Sequence, residues 1–213
     1  MHLRLLIPAA LLMIVSGSAS AQEWAEYNSR QDFFSVNFPA EPAIRQITWE
    51  SEYGLTLPGR VYSVEDATGK YLVTAIDYTR AEKMHLERQA ACKAAGGDGD
   101  QCNNPGRADV RGAMVHASWS FMRRGSEVTH FALYNADLVE GIRLQLLNKD
   151  ASRTFAVIHI HDYRLYIAEG TVPKGLPPPA LFQQSFGFLD KEGRRIRYAT
   201  TYSHGYPVPT RTR

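Results

Sequence analysis

Two histidines one residue apart, in the run His159-Ile160-His161-Asp162, are the side chains of this sequence best suited to chemistry. On an extended strand, residues two apart share a face, so both imidazoles project together. Such a pair can supply two metal ligands, with a third drawn from His130, Asp137 or His116. The plainer reading is a partly solvated pair at a strand end, with Asp162 opening the turn. Spacing does not separate the two.

Cys92 and Cys102 are the only cysteines, and they flank Gly96-Gly97-Asp98-Gly99-Asp100. The glycines let the chain double back, so a structural disulfide is expected if the chain leaves the reducing cytoplasm. A redox pair would want the tighter C-x-x-C spacing and a lowered thiol pKa. Asp98 and Asp100 fall short of a calcium loop, which needs five or more oxygens at set offsets. The sequence carries no G-x-S-x-G, H-E-x-x-H, P-loop or G-x-G-x-x-G. No catalytic residues and no cofactor are therefore assigned.

The first residues bear on the compartment. Residues 1–21 have a short basic start with Arg4, an apolar run from Leu5 to Val15, and the small-residue close Ala19-Ser20-Ala21. This is the pattern of a cleavable signal peptide, with cleavage expected before Gln22. The apolar run is about half the roughly 20 residues that span a bilayer. The expectation is a periplasmic or secreted protein with no integral membrane segment after cleavage. Net charge falls from +2 to +1 when Arg4 leaves with the leader. That balance gives no reason to expect nucleic acid as partner.

The elements that position these residues are legible from periodicity. Phe34, Val36 and Phe38 alternate with polar residues, as in a half-buried strand. Residues 44–50 and 60–65 read as strands, and residues 70–79 as a strand apolar on both faces. Residues 80–95 are rich in helix formers, and Val110, Ala113, Met114, Ala117 and Phe121 form one helical stripe. Four strands follow at 127–135, 140–148, 153–161 and 164–172, joined by short links that favour antiparallel pairing. A short helix is expected over 180–189 after the prolines at 177–179. The domain reading is a signal peptide at 1–21, a single α+β domain at 22–190, and a basic, proline-containing tail at 191–213. The tail carries Arg194, Arg195, Arg197, Arg211 and Arg213 and is expected to be extended and solvated. Because strand 70–79 is apolar on both sides, the fold expected is an antiparallel sheet with helices packed on both faces.

Two phrases carry a family resemblance: "YNSRQDFFSVNFPAEP" (27–42) with the hairpin "RVYSVEDATGKYLVTAIDY", and the closing "GLPPPALFQQSFGFLDKEGRRIRY" (175–198). The first resembles the PsbP-like α/β/α sandwich. The second is similar to a group of uncharacterised secreted alphaproteobacterial proteins. The resemblance implies an accessory, non-enzymatic role and supplies no site residues. The function expected is an exported, non-catalytic binding or accessory module with another envelope protein as possible partner. The alternatives are a metal-binding protein or metal-dependent enzyme built on His159 and His161, and a carrier of a small apolar ligand. Of the tyrosines in or beside strands, Tyr53, Tyr62, Tyr71, Tyr78, Tyr163 and Tyr166, most are expected in the core or in cross-strand pairs, and some could line a groove for such a ligand.

Overall fold

Alternating side chains set the strands, and their pairing sets the sheet. The computed structural model describes residues 24–212, so the expected leader lies outside the described residues. The chain runs β1 (Ala25–Ser29), β2 (Phe34–Phe38), β3 (Ala43–Glu50), β4 (Thr56–Asp66) and β5 (Gly69–Asp77), then α1 (Ala81–Ala94) and α2 (Gly106–Met122). It continues through β6 (Glu127–Ala136), β7 (Val139–Leu147), β8 (Arg153–His161), β9 (Arg164–Val172) and α3 (Ala180–Ser185). Short strands β10 (Gly187–Phe188), β11 (Arg197–Tyr198) and β12 (Arg211–Thr212) close it.

Seven strands form one antiparallel sheet in the order β3-β4-β5-β9-β8-β7-β6. Two meanders, β3–β5 and β6–β9, meet where β9 pairs with β5, Val73 lying opposite Ala168. The two-residue turns Asp137-Leu138 and Asp162-Tyr163 have positive φ at both positions, the conformation that matches the twist of a tight hairpin. In the β4–β5 turn Asp66 accepts hydrogen bonds from the Thr68 and Gly69 amides, at 2.6 and 3.1 Å.

The two faces of this sheet have different covers. Helices α1 and α2 lie on one, and Val110, Ala113, Ala117 and Phe121 pack on Leu144, Ile158 and Ile160. The opposite face is not covered by a helical layer, which corrects the expectation of helices on both sides. There a second antiparallel sheet, β1-β2-β10, lies over the strands together with the six-residue α3. Phe34, Phe38, Phe186 and Phe188 of this cover pack on Tyr62 and Tyr166 of the large sheet. The double-sided apolarity of β5 required a second cover and left its secondary structure open. The short aromatic strand Phe34–Phe38 fills that role by pairing with Gly187–Phe188, which stops the expected 180–189 helix at Ser185.

The C-terminal segment completes the same layer. Ile196, Tyr198 and Tyr202 are buried, and Tyr202 makes a parallel bridge to Val139. Arg195 Nε donates to Asp137 Oδ2 at 2.5 Å, and Arg197-Tyr198 pair with Arg211-Thr212. The extended, solvated tail expected from composition is docked through residue 202, because the three buried side chains outweigh the neighbouring Arg194, Arg195 and Arg197. Cys92 and Cys102 are joined in a disulfide with Cα atoms 5.5 Å apart. Gly97 sits against both sulfurs, where any Cβ would collide. Among the described residues no helix is long and apolar enough to cross a membrane.

Two outcomes follow for stability. Tyr198→Ala and Tyr202→Ala should each destabilise by about 3–5 kcal/mol, the range for removing a buried aromatic ring, read from urea midpoints. A freely solvated tail would leave both midpoints unchanged. Reduction of the disulfide, which closes a loop of sequence separation 10, should lower stability by about 2–3 kcal/mol. Calorimetry with and without reductant measures it.

Candidate functional site

Strand β8 places the histidines. Its even positions, Ala156, Ile158 and Ile160, face the helices, while Val157, His159 and His161 face the small sheet. The sequence reading that both imidazoles share a face therefore holds, and that face is interior. His159 is fully buried; its ring stacks on Phe186 at 5.9 Å and meets Phe188 edge-on at 5.7 Å. His159 Nδ1 donates to the Glu140 carbonyl at 3.2 Å, and Nε2 has no hydrogen-bond partner among the described residues. Gly141, opposite on β7, is required here because a Cβ would overlap the imidazole.

His161 is also buried, its ring 4.7 Å from Phe188 and 4.8 Å from Tyr202. Its Nε2 lies 2.7 Å from the Tyr198 hydroxyl. Burial pushes both imidazoles down to about 4 from the ordinary 6.5. For His161 the neighbouring Asp162 opposes that shift, and Arg211 and His204 add to it.

The proposed third ligands are scattered. His116 sits on α2, over the other face, with its Nε2 3.2 Å from the Glu50 carbonyl. Asp137 is ion-paired with Arg195, and His130 lies on β6, two strands from β8. Among the described residues no group of three or more His, Cys, Asp or Glu is arranged to hold a metal ion. Beside His161 opens a cleft of about 260 Å³ lined by charges of both signs, among them Asp162, Arg164, Lys191 and Arg211. Arg164 lies over the Phe33 ring at 4.8 Å, and Arg211 is 3.8 Å from Asp162.

A second constellation escaped sequence reading. Ser51 Oγ donates to Asp109 Oδ2 at 2.6 Å, and His85 Nε2 lies 2.8 Å from the same oxygen. All three side chains are buried. A catalytic triad needs the histidine between serine and carboxylate, to take the hydroxyl proton. Here the carboxylate stands between them, so the serine proton is directed at Asp109. The cluster fastens the β3–β4 loop to α1 and α2, with Ser51 Oγ also accepting the Leu55 amide at 3.0 Å. Sequence separations of 24 and 58 leave no local signal for it.

A matching cluster fastens the other cover. Buried Asp32 accepts from Arg60 Nε at 2.7 Å and from the Tyr62 hydroxyl at 2.6 Å, while its carbonyl accepts from Tyr166 at 2.7 Å. Burial, and then the Asp32 bond, push the Tyr62 hydroxyl up to about 12.

Of the tyrosines in or beside strands, Tyr62, Tyr78 and Tyr166 are core residues. Tyr71 also lines an apolar hollow of about 290 Å³ with Trp24, Val172, Leu176, Pro178 and Leu181. Asp98 and Asp100 stay in the disulfide loop, where the Asp98 carbonyl accepts the Cys102 amide at 2.9 Å.

No family model matches the chain, and no curated protein matches it either.

The buried histidines make stability depend on acid. Each has a folded pKa near 4 against about 6.5 in the unfolded chain, so the unfolded state takes up protons that the native state refuses. The contribution is full above pH 6.5 and is lost as pH falls towards 4, by up to about 1.4 kcal/mol per pH unit for each imidazole. Urea midpoints at pH 7.5 and 5 check this. A His159→Leu, His161→Leu double variant should flatten the profile, and an unchanged slope would assign the dependence to other groups.

Proposed function

We propose that this chain is an exported, non-catalytic binding or accessory module of the cell envelope. One observation carries the reading: the two histidine clusters, which hold the side chains best suited to acid–base or nucleophilic work, are turned inward and hold layers together. Ser51 and His85 meet on one oxygen of Asp109, and His159 and His161 are packed among Phe186, Phe188, Tyr198 and Tyr202. The disulfide and the leader pattern of residues 1–21 support an oxidising compartment.

A second reading, a carrier of a small apolar ligand, is favoured by the hollow at Trp24 and Tyr71, where Leu176, Pro178 and Leu181 complete an apolar lining.

Cross-linking in intact cells, followed by purification of the full chain from the envelope fraction, tests the proposal. A mature N-terminus at Gln22 and a stoichiometric envelope partner are expected, with the partner still retained by Ser51→Ala. Turnover of a chromogenic acyl ester that disappears in Ser51→Ala would overturn the non-catalytic reading. Quenching of Trp24 fluorescence by a fatty acid, absent in Tyr71→Ala, would favour the carrier.

A further inference from the structure

The face of the large sheet that bears the histidines continues past α3, across β8, β7 and β6. We propose that this shelf binds a small organic anion, a carboxylate on a flat apolar body, through Arg143 and Gln183. The inference rests on the reading of the chain as a binding module and names its ligand class.

The register builds the shelf. Arg143 on β7 lies opposite Val157 on β8, and Gln145 lies opposite Phe155. With Tyr134, these strands and the segment around Gln183 enclose a cavity of about 210 Å³. Arg143, Arg153, Gln145, Gln183 and Gln184 line it, and no acidic residue does. Phe155, Val157, Pro178 and Ala180 supply apolar surface.

The donors are the unusual part. Gln183 is only 9 % exposed, yet its Nε2 has no hydrogen-bond partner among the described residues. Arg143 Nε is in the same condition, buried and without an acceptor. Buried donors are nearly always paired, because stripping one of water without replacement is costly. Two unpaired donors around one cavity call for an acceptor from outside the chain. A guanidinium cannot accept a hydrogen bond, so the missing group is an acceptor, and the uncompensated cations favour an anion.

The surroundings choose among anions. Arg143 Cζ lies over the Tyr134 ring, 5.1 Å from its centre. Arg153 donates to the Leu176 carbonyl and lies 5.4 Å from the Phe155 ring centre, so it adds charge from a fixed position. A planar carboxylate matches an arginine fork and a neighbouring amide. The aromatic and aliphatic lining then accepts a flat apolar body, which a hydrated inorganic dianion lacks.

Isothermal titration of the full, disulfide-intact chain with benzoate, its neutral isostere benzamide, and inorganic phosphate tests the assignment. Saturable benzoate binding at millimolar concentration is expected, with benzamide and phosphate each weaker by about tenfold or more. Arg143→Gln should weaken benzoate by about tenfold or more. Gln183→Leu, of similar size and without the unpaired donor, should weaken benzoate while leaving the thermal midpoint equal or higher, a combination that a purely structural glutamine would not give. Absence of benzoate saturation would overturn the proposal, as would equal binding of benzamide or phosphate, or an affinity untouched by Gln183→Leu. These readouts do not depend on recovery of an envelope partner, so either reading can fail alone.

Discussion

A sheet that is oily on both sides must be covered twice. Strands β5, β8 and β9 bury residues on each face, and the remaining architecture answers that demand. Exposing either face would leave a contiguous apolar area far beyond what a monomeric soluble domain carries. One cover is a pair of helices with small residues, Ala113 and Ala117, at the contact, which lets α2 approach closely. The other is a patchwork of aromatic rings from distant parts of the chain.

Apolar contact is weakly directional, so each cover is also pinned by a buried carboxylate. Asp109 fastens the helical side, accepting from Ser51 in the β3–β4 loop and His85 on α1, and Asp32 fastens the aromatic side, its carboxylate accepting from Arg60 and Tyr62 of β4 and its carbonyl from Tyr166 of β9. In a low-dielectric interior such bonds are strong and geometrically demanding, and they select one docking of each layer among many that would bury similar area. Serine, histidine and aspartate at one point thus serve position here, and the order of contacts, with the carboxylate in the middle, distinguishes that role from catalysis.

Local patterns made the strands and the two long helices legible. Phe34-Val36-Phe38 and the stripe Val110-Ala113-Ala117-Phe121 announce their periods without help from the fold. The pairing of His159 with His161 on one face was equally plain. Whether that face was wet or dry was not, because β8 is apolar at Val157 and Ile158 alike. Failures cluster where tertiary contact overrides local preference. Residues 180–189 carry a helical stripe, yet Phe186 turns extended so that Gly187 and Phe188 can pair with β2. Ile196, Tyr198 and Tyr202 lie among arginines, so composition hides three core residues in what reads as a solvated end. The donors of the shelf are invisible for a related reason: a glutamine on a short helix says nothing until a cavity is seen in front of it.

The aromatic cover is gathered from both extremities of the described chain, Phe34 and Phe38 near its start and Ile196, Tyr198 and Tyr202 near its finish. Delivered from its amino end, the polypeptide can pair its seven long strands while one side of them still lacks its lid. Any prematurely terminated product ending before Ile196 would display rings that the intact molecule hides, the kind of surface that chaperones hold and proteases cut. Integrity of the last stretch is thereby made a condition of survival for the whole.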